Sequence, residues 1–325
     1  MTQLQCPPAA PAPAPVAEIA SQPALPAPEP LPAVERAVTL AVILLPMVGL
    51  IGAIVHAWGW GVGWSEIGLM LGMYVATGLG ITVGFHRLFT HSSFRAGPVV
   101  TAVFGILGSM AFEGPLLRWV AYHRCHHQHS DHDLDPHSPH HHGSGILGTI
   151  RGFFNAHVGW MLLRSPLEPT IGRYIKDFAD NKLVTRISKA FALWSVLSLA
   201  LPALIGGLVS MSWTGALLGF VWGGLVRVLV VHHITWSVNS VCHLWGTRLY
   251  ESHDESRNNP IVGVLAFGEG WHNNHHAFPT SARHGLAWWQ FDLSYLVIRV
   301  LALLGLAHGV RVPSRERIEA KRRAS

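Results

Sequence analysis

Nine histidines could do metal chemistry, since they fall into four closely spaced clusters in the segments HRLFTH, HRCHH, NSVCH and HNNHH. The nine residues are His86, His91, His123, His126, His127, His243, His272, His275 and His276. One protein-bound metal ion rarely takes more than about four protein ligands. Nine imidazoles therefore predict two metal ions that share one pocket, in a centre suited to oxidative chemistry.

The two HxxHH segments carry the strongest signal. In HRCHH, His123 precedes His126 and His127 by three and four residues, and HNNHH repeats this spacing. On a helix such positions lie on one face, so two such faces could clamp a pair of ions. The triplet 140–142 in SPHHHGS lacks this spacing and is interpreted as surface histidines.

Three aspartates follow the HRCHH segment, namely Asp131, Asp133 and Asp135. They could ligate a metal directly, as carboxylates do in soluble di-iron bundles. The favoured interpretation is that they accept a hydrogen bond from the outer nitrogen of a ligating imidazole and so fix its tautomer.

The composition indicates an integral membrane protein. Hydrophobic residues make up 50% of the 325 residues, charged residues only 13%, and the mean hydropathy is +0.32. A soluble domain carries about 25% charged residues. The pI near 9.4 does not indicate nucleic-acid binding, because the basic residues adjoin apolar segments and form no separate domain.

Four segments of about 20 apolar residues are long enough to cross a bilayer. They predict an all-α membrane protein with two transmembrane hairpins and a cytoplasmic helical cap that holds the histidines. The predicted spans are residues 38–58, 67–85, 189–209 and 213–234. Two further apolar segments, 97–117 and 292–309, are expected to be re-entrant or surface helices, since a crossing at 97–117 would separate the first two clusters.

The basic residues predict the orientation. Eleven lie between Arg87 and Lys189 and ten between Arg248 and Arg323, whereas residues 37–86 contain none. Basic loops gather on the cytoplasmic side. Both termini and the histidines should therefore face the cytoplasm.

Three regions follow from this layout. Residues 1–35 contain ten prolines and no Lys or Arg, which predicts a disordered cytoplasmic tail. Residues 36–310 form the membrane domain, and residues 311–325 form a basic C-terminal tail.

With the histidine clusters, the segments DLDPHS, RGFFNAHVGW, TWSVNSVCH and GEGWHNNHHAFP resemble the membrane fatty acid desaturases of the acyl-CoA (stearoyl-CoA) Δ9 type, in their bacterial form. The resemblance covers residues 38–292 and implies two iron ions bound by the nine histidines, with Asn239 reaching one ion through water. Asp131, Asp135 and His157 are the residues predicted to hydrogen-bond the ligating imidazoles.

The resemblance implies an O2-dependent reaction that places a cis double bond between C9 and C10 of a saturated chain of 16 to 18 carbons. Acyl-CoA is the expected substrate, with acyl-carrier protein or phospholipid as alternatives. Animal acyl-CoA enzymes have a basic and an acidic residue where this chain has Ala121 and Tyr122. A separate ferredoxin, flavoprotein or cytochrome should supply the electrons.

An unactivated methylene offers no functional group, so a bent apolar tunnel must set the position of the double bond. The resemblance places Glu113, Trp119, Thr235 and Trp236 near the bend. Glu113 stands where a glutamine is usual, and a buried carboxyl there should stay neutral or find a partner.

Two other functions compete with this interpretation. A di-iron membrane hydroxylase or alkane monooxygenase also uses histidine clusters, but the NSVCH and GEGWHNNHHAFP segments favour a desaturase. A divalent metal transporter would hold its site near the middle of the bilayer, whereas these clusters lie beyond the predicted spans.

Overall fold

The computed structural model describes residues 29–164 and 168–323, which are mainly helical. Its helices in chain order are α1 (Ala33–Trp60), α2 (Trp64–Thr90), α3 (Pro98–Ser109), α4 (Leu116–His129), α5 (Gly145–His157), α6 (Lys182–Lys189), α7 (Phe191–Ser210), α8 (Trp213–Leu244), α9 (Pro260–Leu265), α10 (His272–Ala277), α11 (Leu293–Leu303) and α12 (Arg315–Ala320). Two 3₁₀ segments, Gly159–Leu162 and Glu168–Phe178, lie between α5 and α6.

Four two-residue strands form two small antiparallel pairs. Strand β1 (Glu29–Pro30) pairs with β3 (Leu163–Arg164), and β2 (Arg95–Ala96) pairs with β4 (Ala307–His308). The first pair ties the segment before α1 to the cap, and the second ties the segment after α11 to the end of α2.

Helices α1, α2, α7 and α8 are long and apolar enough to cross a membrane, which confirms the prediction of four spans in two hairpins. Helix α1 already begins at Ala33, inside the predicted tail, because helix-forming residues follow Pro32 at its N-cap. Residues 1–28 of that predicted tail lie outside the described residues.

The second and fourth spans extend beyond their predicted ends. Helix α8 has 32 residues, about 48 Å at 1.5 Å per residue, whereas a bilayer core is about 30 Å thick. Its last turns, with His243, therefore project from the membrane.

The turn between α1 and α2 lies at the other face of the membrane. Trp58, Trp60 and Trp64 at this turn are 93%, 79% and 86% exposed, as expected for an interfacial belt.

The second and fourth spans contain π-helical turns, at Gly80–Thr90 in α2 and at Phe220–Val226 in α8. The turn in α2 packs closely on α3, since a Cβ atom on Gly80 would lie 2.2 Å from the backbone nitrogen of Gly108. Such wide turns are frequent at functional sites. This one carries His86.

Helices α3 and α11 have 12 and 11 residues, about 18 Å and 17 Å in length. Neither can cross a bilayer core. The first two histidine clusters therefore stay on one side of the membrane. The predicted basic tail is folded onto the cap, where it forms α12 and where Lys321 Nζ donates to the carbonyl of Ala277 at 2.7 Å.

Candidate metal centre

The nine histidines meet where α2, α4, α8 and α10 come together. His86 lies in the last turns of α2, and His91 follows that helix directly. Helix α4 carries the HRCHH segment, α8 ends just after His243, and α10 begins at His272. The projecting ends of two spans and two cap helices thus converge on one buried place.

The structure divides the histidines into two groups, and within each group the ligand atoms lie within 4.8 Å of one another. The five-histidine group consists of His86, His91, His123, His127 and His275. The four-histidine group consists of His126, His243, His272 and His276. Each HxxHH helix contributes to both groups, so α4 and α10 clamp the centre from two sides.

The inner nitrogens crowd around common points. In the five-histidine group, His275 Nε2 lies 3.0 Å from His86 Nε2 and 2.9 Å from His127 Nε2. In the four-histidine group, His243 Nε2 lies 2.9 Å from His272 Nε2. Neighbouring ligand atoms at about 2.1 Å from an octahedral ion would be about 3.0 Å apart. These separations fit a metal-ligand shell.

Carboxylates hold the outer nitrogens of four of these imidazoles. His126 Nδ1 lies 3.0 Å from Asp135, His243 Nδ1 2.8 Å from Asp131, and His276 Nδ1 2.5 Å from Asp254. His86 Nδ1 lies 2.6 Å from Glu269. A carboxylate at Nδ1 fixes the tautomer that leaves the Nε2 lone pair facing inward.

Buried imidazole nitrogens without a hydrogen-bond partner also indicate that these histidines bind metal. The Nε2 atoms of His91, His126 and His276 are buried without a hydrogen-bond partner among the described residues. A buried polar atom without a partner is costly unless something binds it. Burial, followed by the neighbouring imidazoles, holds the pKa of His91, His123 and His126 well below the usual value, so their rings are neutral and able to ligate. The donor set therefore fits a pair of metal ions.

The surrounding carboxyls differ in charge. Burial raises the pKa of Asp135 to about 7. Burial also opposes ionisation of Asp131, Asp254 and Glu269, but neighbouring imidazoles, and Arg87 in the case of Glu269, hold the pKa of each below its usual value. These three carboxyls are therefore ionised at neutral pH.

The predicted hydrogen-bond partners occupy different places. Asp131 and Asp135 contact ligand-group imidazoles as described, whereas the side chain of Asp133 is 93% exposed. His157 does not contact the nine histidines; its nitrogens lie 2.9 Å from Ser240 Oγ and 3.0 Å from His233 Nδ1.

Histidines 140–142 are outside both groups. Their Nε2 atoms lie 2.8–3.2 Å from the backbone carbonyl oxygens of His243, Asp131 and Ser138 respectively. They therefore brace the loop that carries Asp131, a structural role that the sequence did not indicate.

Three residues of the site were missed from the sequence. Glu269 stands three residues before His272 in GEGWH, and this spacing could have drawn attention to it. Asp254 and His284 gave no comparable signal, because they lie in segments without a recognisable spacing. His284 is buried beside Glu269, with Nδ1 at 3.3 Å from the carboxylate.

A cavity of about 1440 Å³ leads to the metal centre and is lined by residues of both histidine groups, among them His86, His123 and His272. Asn239 lines it one turn before His243. The four predicted tunnel residues Glu113, Trp119, Thr235 and Trp236 also line it. Trp119 stacks on His123, with 4.8 Å between ring centroids, so the tunnel wall directly adjoins the five-histidine group.

Glu113 is held as a buried acid in this wall. Trp119 Nε1 donates to Glu113 Oε2 at 2.9 Å, and Thr235 is its other hydrogen-bonding neighbour. Burial outweighs both contacts and raises the pKa of Glu113 to about 7. Its Oε1 atom has no hydrogen-bond partner among the described residues.

Several known proteins are similar in sequence to this chain. The chain matches the fatty acid desaturase family model over residues 58–301. It is 42% identical over 283 residues to hex-5-enoyl-(acyl-carrier protein) acetylenase of Moorena producens, covering 86% of this chain and 88% of that protein. It is 40% identical over 254 residues to sn-1 stearoyl-lipid 9-desaturase of Anabaena variabilis, covering 78% of this chain and 86% of the relative. The protein of the same name from Synechocystis sp. is 42% identical over 252 residues, covering 77% and 73%.

The matched segment contains the four histidine clusters, three of the four spans in full and the end of the first. The acetylenase shows that close relatives differ in the bond that they form and in the carrier of the acyl chain. The chain is therefore a multi-pass membrane oxidoreductase acting on fatty acyl chains, and it belongs to the fatty acid desaturase family.

Proposed function

We propose that this enzyme introduces a cis double bond at Δ9 of a saturated chain of 16 to 18 carbons. The observation that carries the proposal is that residues of both histidine groups line one large, mostly apolar cavity. The names of two relatives as 9-desaturases support the position of the double bond. The reaction consumes the saturated chain, O2, two electrons and two protons, and yields the unsaturated chain and two waters.

The nine histidines hold two iron ions in this proposal, and Asn239 contacts one ion through water. The irons and O2 supply the oxidising power for breaking two unactivated C–H bonds. The protein orients the chain, since Trp119 and Trp236 shape the cavity beside the centre. Burial of the histidines excludes bulk water from the reacting carbons.

Electrons come from a separate donor of ferredoxin, flavoprotein or cytochrome type. In this proposal the spans lie in the cytoplasmic membrane, and the cap and both termini face the cytoplasm. The basic residues that flank the spans support this orientation. The sequence resemblance favours acyl-CoA as substrate, whereas the relatives, named for lipid-linked and carrier-protein-linked chains, favour those carriers.

Expression in a host membrane, followed by mass spectrometry of double-bond positions, tests the proposal. We expect new Δ9 unsaturation that disappears in His127→Ala and in His275→Ala, because solvent cannot replace a lost imidazole without changing the metal centre. His308→Ala is the matched control, since this residue is exposed and outside both groups.

Other products would contradict the proposal in distinct ways. Hydroxylated chains would indicate the monooxygenase, and a triple bond would indicate an acetylenase. Unchanged lipids in cells that contain iron-loaded protein and a competent electron donor would refute the desaturase function.

A further inference from the structure

The cavity that reaches the metal centre opens through the side of the molecule, along α1. Val34 and Val38 line the cavity and are nevertheless 76% and 59% exposed. Thr39, Val42 and Ile43 continue this lining one to two turns further along the same helix. The wall formed by α1 is therefore open over its first turns and more closed beyond them.

This opening lies at the edge of the membrane on the side of the metal centre. Helices α1 and α2 form a hairpin, so the first turns of α1 lie at the same membrane face as the end of α2, which carries His86. Residues 34 to 43 belong to a span with an apolar, largely exposed surface. Lipid chains and head groups meet at this depth.

The charges at the opening do not favour a polyanion. Arg118 is the single Lys or Arg among the described residues that line the cavity. Its guanidinium lies 3.6 Å from Glu168, and Glu35 is a further acidic neighbour. Tyr122 also donates its hydroxyl to Glu168. The positive charge of Arg118 is thus offset by the Glu168 carboxylate.

The polar part of the cavity contains no further Lys or Arg among the described residues that could bind a polyanion. Its lining there includes Asp133 and Asp135 together with several histidines. Coenzyme A carries several phosphate charges, which proteins bind preferentially with arginine and lysine side chains. A neutral or singly charged head group at the membrane edge suits these surroundings better.

We propose that the substrate is the acyl chain of a membrane glycerolipid, which enters sideways between the first turns of α1 and the Arg118–Glu168 pair without leaving the bilayer. The proposal rests on the desaturase function proposed above and identifies the carrier for that reaction. The head group stays at the membrane surface beside Arg118, while the acyl chain follows the cavity past Glu113 to the two histidine groups.

The carrier is tested with the full-length, iron-loaded enzyme, a competent electron donor and O2 in nanodiscs. One set of discs contains phosphatidylglycerol and phosphatidylethanolamine with deuterated stearoyl chains. The other contains only dioleoyl lipids and receives deuterated stearoyl-CoA or stearoyl-carrier protein from solution. We expect deuterated oleoyl chains from the stearoyl lipids and at least about tenfold less product from either thioester.

The outcomes separate this proposal from the desaturase function. Equal or faster conversion of a thioester would overturn the glycerolipid proposal and leave the desaturase function intact. Conversion of none of the three substrates by an enzyme with verified iron content would overturn both.

The opening itself is tested by filling it. Val38→Trp places a bulky ring in the opening, whereas Val48→Trp places the same ring on the lipid-facing side of the same helix, at a residue that is 61% exposed and does not line the cavity. We expect Val38→Trp to lower conversion of bilayer lipid by about tenfold or more and Val48→Trp to leave it unchanged.

Bound lipid provides a measurement that does not depend on turnover. Native mass spectrometry of the purified proteins should detect retained glycerolipid in the wild type and Val48→Trp, and less in Val38→Trp. Equal lipid retention and equal conversion in the two variants would show that the chain does not enter along α1.

Discussion

The two histidine groups use the same kind of ligand in different electrostatic surroundings. Three imidazoles of the four-histidine group each contact a carboxyl, from Asp131, Asp135 or Asp254. In the five-histidine group, Glu269 is the only such carboxyl among the described residues, and the buried Arg87 binds that same carboxylate. The four-histidine group thus has three acidic partners. In the five-histidine group, the charge of the one acidic partner is balanced by Arg87.

This difference teaches that the sequence of a histidine cluster does not determine the properties of its metal. Helices α4 and α10 supply both groups from one repeated spacing, yet the carboxyls come from loops elsewhere in the chain. A carboxylate at the outer nitrogen makes an imidazole a stronger donor. We therefore expect the four-histidine group to bind its ion more tightly and to favour its more oxidised form.

The largest effect should come from removing neighbouring ligands that belong to different groups. His275 and His276 are adjacent on α10 but lie in the five- and four-histidine groups respectively. Alanine at either position should remove one of the two ions and lower activity by at least about 100-fold. Metal analysis of the purified proteins checks this, and a variant that retains both ions would show that the division into groups is wrong.

Removing a carboxyl partner should have a smaller effect on the same ion. In Asp254→Asn, His276 loses its ionised partner, and the affinity of the four-histidine group for iron should fall by roughly 10–100-fold. Anaerobic titration of the apoprotein with ferrous iron measures this. The matched control is Asp133→Asn, whose side chain is 93% exposed and should not change the affinity.

The corresponding change in the other group should act on stability instead. Arg87 donates to Glu269, to Asp292 at 3.1 Å and to the carbonyl of Ala282 at 3.0 Å. Breaking one buried ion pair destabilises a protein by about 3 kcal/mol. We therefore expect Glu269→Gln to lower the melting temperature more than Asp254→Asn does. We expect it to lower the affinity for iron less than Asp254→Asn does. If the two variants showed the same change in melting temperature and the same change in iron affinity, the two histidine groups would not differ in the role of their carboxyl partners.

The sequence predicted the parts of the molecule that depend on local spacing. Runs of apolar residues gave the four spans, and the i, i+3 and i, i+4 positions in α4 and α10 gave histidines on shared helical faces. The partners Glu269, Asp254 and His284 depend on how distant segments fold together, and no short spacing records that. The wide turns in α2 and α8 were missed for a related reason, since π-helical hydrogen bonding depends on packing such as that of Gly80 against α3.

The smallest effect concerns Glu113, a further carboxyl near the five-histidine group, which it meets through Trp119. Because burial raises the pKa of Glu113 from 4.5 to about 7, the group is neutral below pH 7 and ionised above it. Between these two values the folded protein holds a proton that the unfolded chain has released, so stability falls as the pH rises from 4.5 to 7. Above pH 7 the carboxylate faces an apolar cavity and disfavours the acyl chain.

Glu113→Gln keeps an acceptor for Trp119 but cannot ionise. The variant therefore distinguishes an effect of the charge at this position from an effect of the size of the side chain. We expect the KM of the wild type for the acyl substrate to rise by about threefold between pH 6.5 and pH 8, while that of the variant stays level. The variant should also melt at a higher temperature than the wild type at pH 8. Parallel pH profiles of the two proteins would show that Glu113 carries no charge that the substrate meets. The five-histidine group would then have no acidic neighbour on the side of the tunnel, and its contrast with the four-histidine group would hold at every pH.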